Sequence, residues 1–113
     1  MIEIINTQDH FRGKIYVVGL EGRIVNILFT FHAIDRIKCW GITEKMVVET
    51  LLLPEEVSIG HRERYIAHRR YNYHLVRAVY EYEDKLAVLI TVYFPYKDRY
   101  FKGGGIYEDK IFK

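Results

Sequence analysis

Cysteine and proline are scarce in this 113-residue sequence, which has one Cys, Cys39, and two Pro. A single cysteine excludes an intrachain disulfide and a zinc site made of several thiolates. Such cysteine usage is typical of a reducing compartment, so we expect a cytoplasmic protein. The low proline content and the lack of low-complexity runs argue against an intrinsically disordered chain.

Long hydrophobic runs are also missing. The longest covers residues 86–92 and contains Thr91, so it is far shorter than the about 20 residues that span a bilayer. The first residues lack the charged-then-apolar pattern of a signal peptide. We therefore expect no association with a membrane. Length and a hydrophobic content of 50% predict one domain over residues 1–113.

Positive charge is unevenly distributed, although the net charge is only +2. Residues 61–77 contain five Arg against one Glu, and three Tyr and three His share the same stretch. A basic segment of this kind indicates a polyanion or an acidic protein as the partner. The three histidines, His61, His68 and His74, lack the spacing of metal ligands and are interpreted as scattered surface residues. No metal and no cofactor is predicted.

Local patterns predict an α+β domain with two helices packed on a curved antiparallel sheet, in the order β-β-α-α-β-β-β. Thr30 and Thr43 are predicted helix N-caps, and Gly41 is predicted to end the first helix. Residues 86–94 form the most apolar strand, which is expected at the centre of the sheet. The other predicted elements are a hairpin at 15–19 and 24–29, helices ending near Cys39 and before Pro54, strands at 64–70 and 74–82, and an ambiguous short strand at 2–5.

The domain divides into an N-terminal hairpin extension over residues 1–29, a core over 30–96 and a tail over 97–113. The tail contains Gly103, Gly104 and Gly105, which predict a flexible or sharply turned segment. This glycine run matches neither a P-loop nor a dinucleotide fingerprint, so it is given no phosphate-binding role.

His32 and Arg36 are candidates for phosphate chemistry on the first helix. They are four residues apart, hence on one face, while Phe31, Ile34 and Ile37 are expected to point into the core. The helix dipole disfavours a charged imidazole in the first turn, which leaves His32 able to accept a proton. Arg36 is suited to holding a phosphate oxygen. The alternative is that His32 bonds to a backbone carbonyl or faces water, while Arg36 pairs with Asp35 or Glu49.

Two polar residues interrupt the apolar strands that follow. Arg77 needs a partner or a ligand, and the plainer interpretation is a salt bridge to Glu81 or to a helix carboxylate. The hydroxyl of Thr91 is expected to bond either to backbone or to a group in a site. Candidates for RNA contact, where Arg and Tyr residues alternate, are Arg64, Arg69, Arg70 and Tyr71. A solvated strand face explains the same pattern without a ligand.

Taken in order, these motifs resemble a family called domain of unknown function 4258. They are a His-Ala-x-x-Arg helix at 32–36, a Gly-Ile-Thr turn at 41–43, a second helix ending near Pro54, and strands closing on Thr-Val-Tyr at 91–93. The resemblance covers about residues 29–96. Trp40, where members often carry Arg, and Asp35, where they carry Glu, depart from the pattern.

That family is similar to the RelE/ParE toxins. The resemblance implies a cleft lined by basic residues, metal-independent cleavage of RNA and restraint by a protein antitoxin. His32, Arg36, Arg77 and Thr91 match the polar pattern of the family and are therefore the implied catalytic residues. The alternatives are a non-catalytic module that binds RNA or protein, and a homodimeric scaffold.

Overall fold

The computed structural model describes residues 1–103 and 111, and in this part of the chain seven strands and three helices form an α+β fold. The α+β prediction is therefore confirmed. The strands are β1 (Ile2–His10), β2 (Gly13–Leu20), β3 (Arg23–Thr30), β4 (Glu56–Ile59), β5 (Tyr65–Tyr71), β6 (His74–Glu83) and β7 (Leu86–Tyr93). The helices are α1 (Phe31–Trp40), α2 (Glu44–Leu52) and the short α3 (Lys97–Tyr100).

All seven strands belong to one sheet in the order β1-β2-β3-β7-β6-β5-β4. The prediction that β7 is central is confirmed, because β7 has three strands on each side. The prediction of a purely antiparallel sheet is wrong, since β3 and β7 pair in parallel through residues 27–29 and 87–89. The two helices and three further strands lie between β3 and β7 in the chain, so the last strand can enter beside β3 in the same direction.

The N-terminal region contributes more strand than predicted. β1 extends from Ile2 to His10 and pairs with β2 along its whole length, with a register shift between Ile4 and Asn6. The short strand β4 was not predicted at all, and it pairs with β5 at the edge of the sheet. Four residues with two exposed side chains give too short an alternating pattern to be recognised in the sequence.

Both helices start and end at the predicted signals. The hydroxyl of Thr30 accepts a hydrogen bond from the Ala33 N–H, and the hydroxyl of Thr43 accepts one from the Met46 N–H. Gly41 ends α1 in a left-handed conformation at φ 69°, which glycine adopts without steric cost. The expected core position of Phe31 is wrong: its side chain is 59% exposed, and Ala33 and Ile37 are the buried residues of α1.

The main hydrophobic core lies between the helices and one face of the sheet. Side chains from both halves of the sheet reach it, including Phe29 from β3, Leu89 from β7 and Tyr80 from β6. The helices contribute a set of buried residues, Ala33, Ile37, Val47, Val48, Leu51 and Leu52. In the part of the chain that the structure describes, no helix is long and apolar enough to cross a membrane.

Candidate functional site

Along its second half, β7 lies beside α1 and no longer beside β3. Pairing between β3 and β7 stops at Phe29 and Leu89. The Thr30 hydroxyl then donates to the carbonyl oxygens of Leu89 and Ile90, at 3.0 and 3.2 Å. At the other end of α1, the Trp40 indole donates to the Val92 carbonyl at 3.1 Å. One side of α1 is therefore fixed along the edge of β7.

His32 lies at the start of this side of α1, and it contacts Thr91. The Nε2 atom of His32 is 3.1 Å from the Thr91 hydroxyl oxygen. Both residues reach solvent: His32 is exposed and Thr91 is half-buried. Residues 59 positions apart in the chain thus form a hydrogen-bonded pair at the surface.

A bulge in β7 explains where Thr91 points. Tyr80 pairs with Leu89 and Val79 pairs with Thr91, so Ile90 is an extra residue on β7. After the bulge, the buried residues Ala78 and Val92 face the helices. Their neighbours Arg77, Thr91 and Tyr93 therefore point to the opposite face, because side chains alternate along a strand. Arg77 is directly opposite Tyr93 and diagonal to Thr91. Diagonal residues in a regular ladder are about 7 Å apart.

Arg36 is one helical turn after His32 and one before Trp40. Its guanidinium donates to Asp35 Oδ2 at 2.8 Å and to the Cys39 sulfur at 3.2 Å. The bond from Arg36 lowers the pKa of the Asp35 carboxyl. The alternative pairing of Arg36 with Asp35 is thus the one observed. The Nε of Arg36 is buried and has no hydrogen-bond partner among the described residues.

Arg77 contacts a buried histidine. Its Nη1 atom is 2.8 Å from His68 Nε2, and its guanidinium carbon is 4.5 Å from the centre of the Tyr100 ring. The expected partner Glu81 is instead paired with Arg64, at 3.4 Å. Of the four predicted catalytic residues, His32 and Thr91 are in contact, whereas Arg36 and Arg77 make their hydrogen bonds with other residues.

His68 is only 4% exposed, so its interpretation as a surface residue is wrong. Its Nδ1 atom is 2.6 Å from Oε2 of Glu56, which is 5% exposed. Burial lowers the pKa of His68 and outweighs the opposing effect of the bond to Glu56. Strand β4, which carries Glu56, was not predicted, so no sequence signal placed this carboxylate opposite His68.

A cleft of about 450 Å³ opens between α1 and the ends of β6 and β7. Two of the six described residues that line it are Arg and none is acidic, and three are aromatic: Trp40, Arg77, Tyr93, Pro95, Arg99 and Tyr100. Arg77 is the only predicted site residue in this lining. Trp40, Tyr93, Arg99 and Tyr100 were missed as functional residues, although Trp40 was identified as a departure from the family pattern.

The four residues predicted to bind RNA do not form one surface. Arg64 pairs with Glu81, and Arg70 pairs with Glu55 through two nitrogens at 3.0 and 3.2 Å. Arg69 and Tyr71 alternate with Arg70 along β5 and so lie on the helix side. Arg69 donates to the Leu53 carbonyl, and the Tyr71 hydroxyl donates to Glu49 and to the Met46 carbonyl.

Tyr71 provides a first testable prediction, about stability at high pH. Burial, and then the bond to Glu49, raise the pKa of Tyr71 to about 12. The folded state therefore keeps a proton that the unfolded state loses near pH 10, so stability present below about pH 10 is lost as the pH rises towards 12. Urea unfolding should show a steeper loss between about pH 10 and 12 for the wild type than for Tyr71→Phe. Tyr73→Phe, at a residue 77% exposed, is the control and should behave like the wild type.

The segment after β7 crosses the sheet face opposite the helices. Tyr100 stacks on Arg77, and Phe101 stacks on Arg70 at 4.2 Å. The backbone N–H of Lys102 donates to both oxygens of Glu56, at 3.2 Å. Gly103 has a positive φ of 71°, whereas Gly104 and Gly105 of the predicted flexible run lie outside the described residues, with most of the predicted tail.

Comparison with protein families gives a match to one half or more of the chain. The model of a family described as a domain of unknown function (DUF4258) matches residues 29–94, which is more than half of the chain. The chain belongs to this family. The matched region contains α1, α2 and strands β4 to β7, and therefore every predicted catalytic residue. The predicted limits of 29–96 agree with the match. No curated protein and no solved structure matches the chain.

No group of three or more His, Cys, Asp or Glu within residues 1–103 and 111 is arranged to hold a metal ion.

Proposed function

We propose that this protein is a RelE/ParE-like, toxin-type ribonuclease that cleaves single-stranded RNA at the cleft between α1 and β7. The observation that carries the proposal is the solvent-facing pair of His32 and Thr91, 3.1 Å apart. Thr91 shares a sheet face with Arg77, which lines a cleft that contains two arginines. A proton-transfer group next to fixed positive charge is the combination that phosphodiester cleavage needs.

His32 is the proposed general base. It removes the proton of a ribose 2′-hydroxyl, whose oxygen attacks the adjacent phosphorus. A new bond forms between phosphorus and the 2′-oxygen, and the bond to the 5′-oxygen breaks. The products are a 2′,3′-cyclic phosphate and a 5′-hydroxyl, the leaving oxygen taking its proton from water or from protonated His32. Thr91 orients the imidazole through its hydroxyl.

Arginine side chains supply the charge stabilisation. Two negative charges develop on the phosphorane, and preorganised donors aimed at them give the largest catalytic effect in many enzymes. Arg77 is held on the same sheet face as Thr91, and Arg36 is one turn after His32 on α1. These groups neutralise the transition state without a bound cation, so the proposed reaction is independent of metal ions.

The aromatic lining of the cleft favours an unpaired nucleotide. Trp40, Tyr93 and Tyr100 line the cleft together with Arg77 and Arg99, and single-stranded RNA is bound by stacking on aromatic rings and by contacts of Arg with phosphate. The cleft volume of about 450 Å³ lies within the range of small-ligand sites. Bases in a duplex are already stacked, so single strands and loops are the expected substrates.

Cleavage of a mixed RNA pool in excess EDTA tests the proposal. The wild type should release fragments that end in a 2′,3′-cyclic phosphate and begin with a 5′-hydroxyl, and the same sequences as DNA should remain intact. An RNA with a single 2′-deoxy substitution at the cleaved position should also be resistant. If the pure protein cleaves no RNA, alone or on ribosomes, the proposal is wrong. Salt-sensitive binding without turnover would instead identify a non-catalytic RNA-binding module.

Trp40 is the only tryptophan of the chain, so its fluorescence reports directly on the cleft. Addition of a short single-stranded RNA should quench this fluorescence, because a base stacks near the indole, and the apparent affinity should fall steeply with salt. Arg99→Ala should weaken the quenching, since Arg99 is exposed and lines the cleft. Lys14→Ala, an exposed cation on β2, is the control. Equal quenching for wild type and Arg99→Ala would place the RNA elsewhere.

The toxin type implies a protein partner as well. An antitoxin that restrains such an enzyme would be expected to cover the same cleft or to displace Trp40 and Tyr93 from it. Expression of the chain alone should therefore slow cell growth, and His32→Ala should relieve that effect.

A further inference from the structure

Three side chains form a row across the sheet, on the face opposite the helices. Glu56 of β4 is opposite His68 of β5, and His68 is opposite Arg77 of β6. The distances between their polar atoms are 2.6 Å from Glu56 to His68 and 2.8 Å from His68 to Arg77. The row ends at the proposed site, because Arg77 is opposite Tyr93 and lines the cleft.

Only one arrangement of protons satisfies this row. Arg77 has donors and no acceptor, so Nε2 of His68 has to accept the bond from Nη1. The proton of a neutral imidazole then lies on Nδ1, which donates to the Glu56 carboxylate. Burial lowers the pKa of His68, which agrees with a neutral ring near neutral pH. Glu56 and Arg77 are thus linked by two hydrogen bonds to the neutral ring of His68.

We propose that Glu56 and His68 are positioning residues that hold Arg77 in place for an RNA phosphate. The inference rests on the proposed function of the cleft. The bond to His68 engages Nη1 of Arg77, and the Tyr100 ring covers the guanidinium at 4.5 Å. A planar guanidinium held from one side presents its other donors in a fixed direction, which reduces the ordering cost of phosphate binding.

The same row makes Arg77 sensitive to protonation of His68. A charged imidazole carries a proton on Nε2 and no longer accepts a bond from Arg77, so the guanidinium is released. The charged groups that act on His68 are Glu56 from β4, which favours its charged form, and Arg77 from β6 with Lys102 after α3, which oppose it. RNA cleavage should therefore decline in acid as His68 gains a proton.

Two variants separate positioning from a purely structural role. The side-chain amide of His68→Gln has an acceptor for Arg77 and a donor for Glu56 but does not titrate near neutral pH. It should cleave RNA at near the wild-type rate while lacking the part of the acid decline due to His68. His68→Leu removes both bonds, and its kcat/KM should fall by about tenfold or more, as for loss of other orienting partners. Equal rates and equal pH profiles for wild type, Gln and Leu variants would overturn the proposal.

Nitrogen-15 NMR of the wild type tests the row independently of activity. Near neutral pH, the His68 ring should show a protonated Nδ1 and an unprotonated Nε2, and rotation about the Arg77 guanidinium bonds should be slow. A charged ring, or the opposite tautomer, would overturn the proposal even if RNA is cleaved. If the tautomer is as expected and the wild type cleaves no RNA, the proposed function fails while the geometry of the row stands.

Discussion

Replacement of His32 by alanine should lower the single-turnover rate constant for RNA cleavage by about 10²- to 10⁴-fold, the usual contribution of a general base. His32 is exposed, and within residues 1–103 and 111 its ring nitrogen bonds to Thr91 alone. The substitution should therefore leave the free energy of unfolding nearly unchanged, and Trp40 fluorescence should still report RNA binding. A loss of rate without a loss of binding is expected for a residue that acts mainly in the transition state.

His61→Ala is the matched control for this variant. His61 is also exposed and lies in the basic stretch, within a 3₁₀ turn that does not line the cleft. It should cleave RNA at the wild-type rate. If His32→Ala and His61→Ala were equally active, His32 would have no part in proton transfer, and the active centre would have to be sought elsewhere. Thr91→Val should have a smaller effect than His32→Ala, because Thr91 only orients the ring.

Glu56→Ala should lower the free energy of unfolding by about 2–4 kcal/mol, because two donors lose a charged acceptor and each unsatisfied buried donor costs about 1–3 kcal/mol. Glu56 is 5% exposed, and its carboxylate bonds to His68 and to the backbone N–H of Lys102. Removing the carboxylate leaves a buried ring N–H and the Lys102 N–H without their acceptor. It also leaves Arg77 without the negative charge that balances it across the row.

Glu55→Ala is a control one residue away. Glu55 pairs with Arg70, but both side chains are partly exposed, at 30% and 46%, so this variant should lose only about 1 kcal/mol or less. Equilibrium unfolding in urea at neutral pH measures both. Equal losses for Glu55→Ala and Glu56→Ala would contradict the account of Glu56 as the buried end of the row.

The helices and the central strand could be predicted because their signals are local. Thr30, Thr43 and Gly41 act within one turn of their own positions, and the hydrophobicity of β7 alone indicates a strand covered on both faces. The prediction that Phe31 points into the core was wrong because of the spacing on which it rested. Spacing of three residues joins Phe31 to Ile34 and Ile37, but a 3.6-residue helix turns Ala33 and Ile37 towards the core instead.

Pairing between distant strands could not be predicted from such signals. The parallel contact of β3 with β7 depends on α1 leaving the sheet at Thr30, and β4 exists as a strand because β5 offers it an edge. The alternation along β5 did place His68 and Arg70 on one face, but it could not show which face the helices cover. Tyr71 and Arg69 were therefore predicted as RNA contacts, although they lie on the side of α2.

Only part of the site could be predicted, because some of its features are local and others depend on contacts between distant segments. His32 and Arg36 share a side of one helix, a local property, whereas the contact of His32 with Thr91 depends on the path of α1 along β7. The contact of Arg77 with His68 depends on the register of β5 with β6, and the contact of His68 with Glu56 depends on that of β4 with β5. Tyr100 reaches Arg77 only because the chain turns back over the sheet after Pro95.

The most direct test of the account is to locate bound RNA by NMR. A short single-stranded oligonucleotide with 2′-O-methyl groups cannot be cleaved by attack of a 2′-hydroxyl, so it forms a stable complex. The account predicts that the largest chemical-shift changes fall on His32, Trp40, Thr91, Tyr93 and Arg77, around the cleft. Changes centred instead on the basic segment at 61–65, or no changes at saturating RNA, would contradict it.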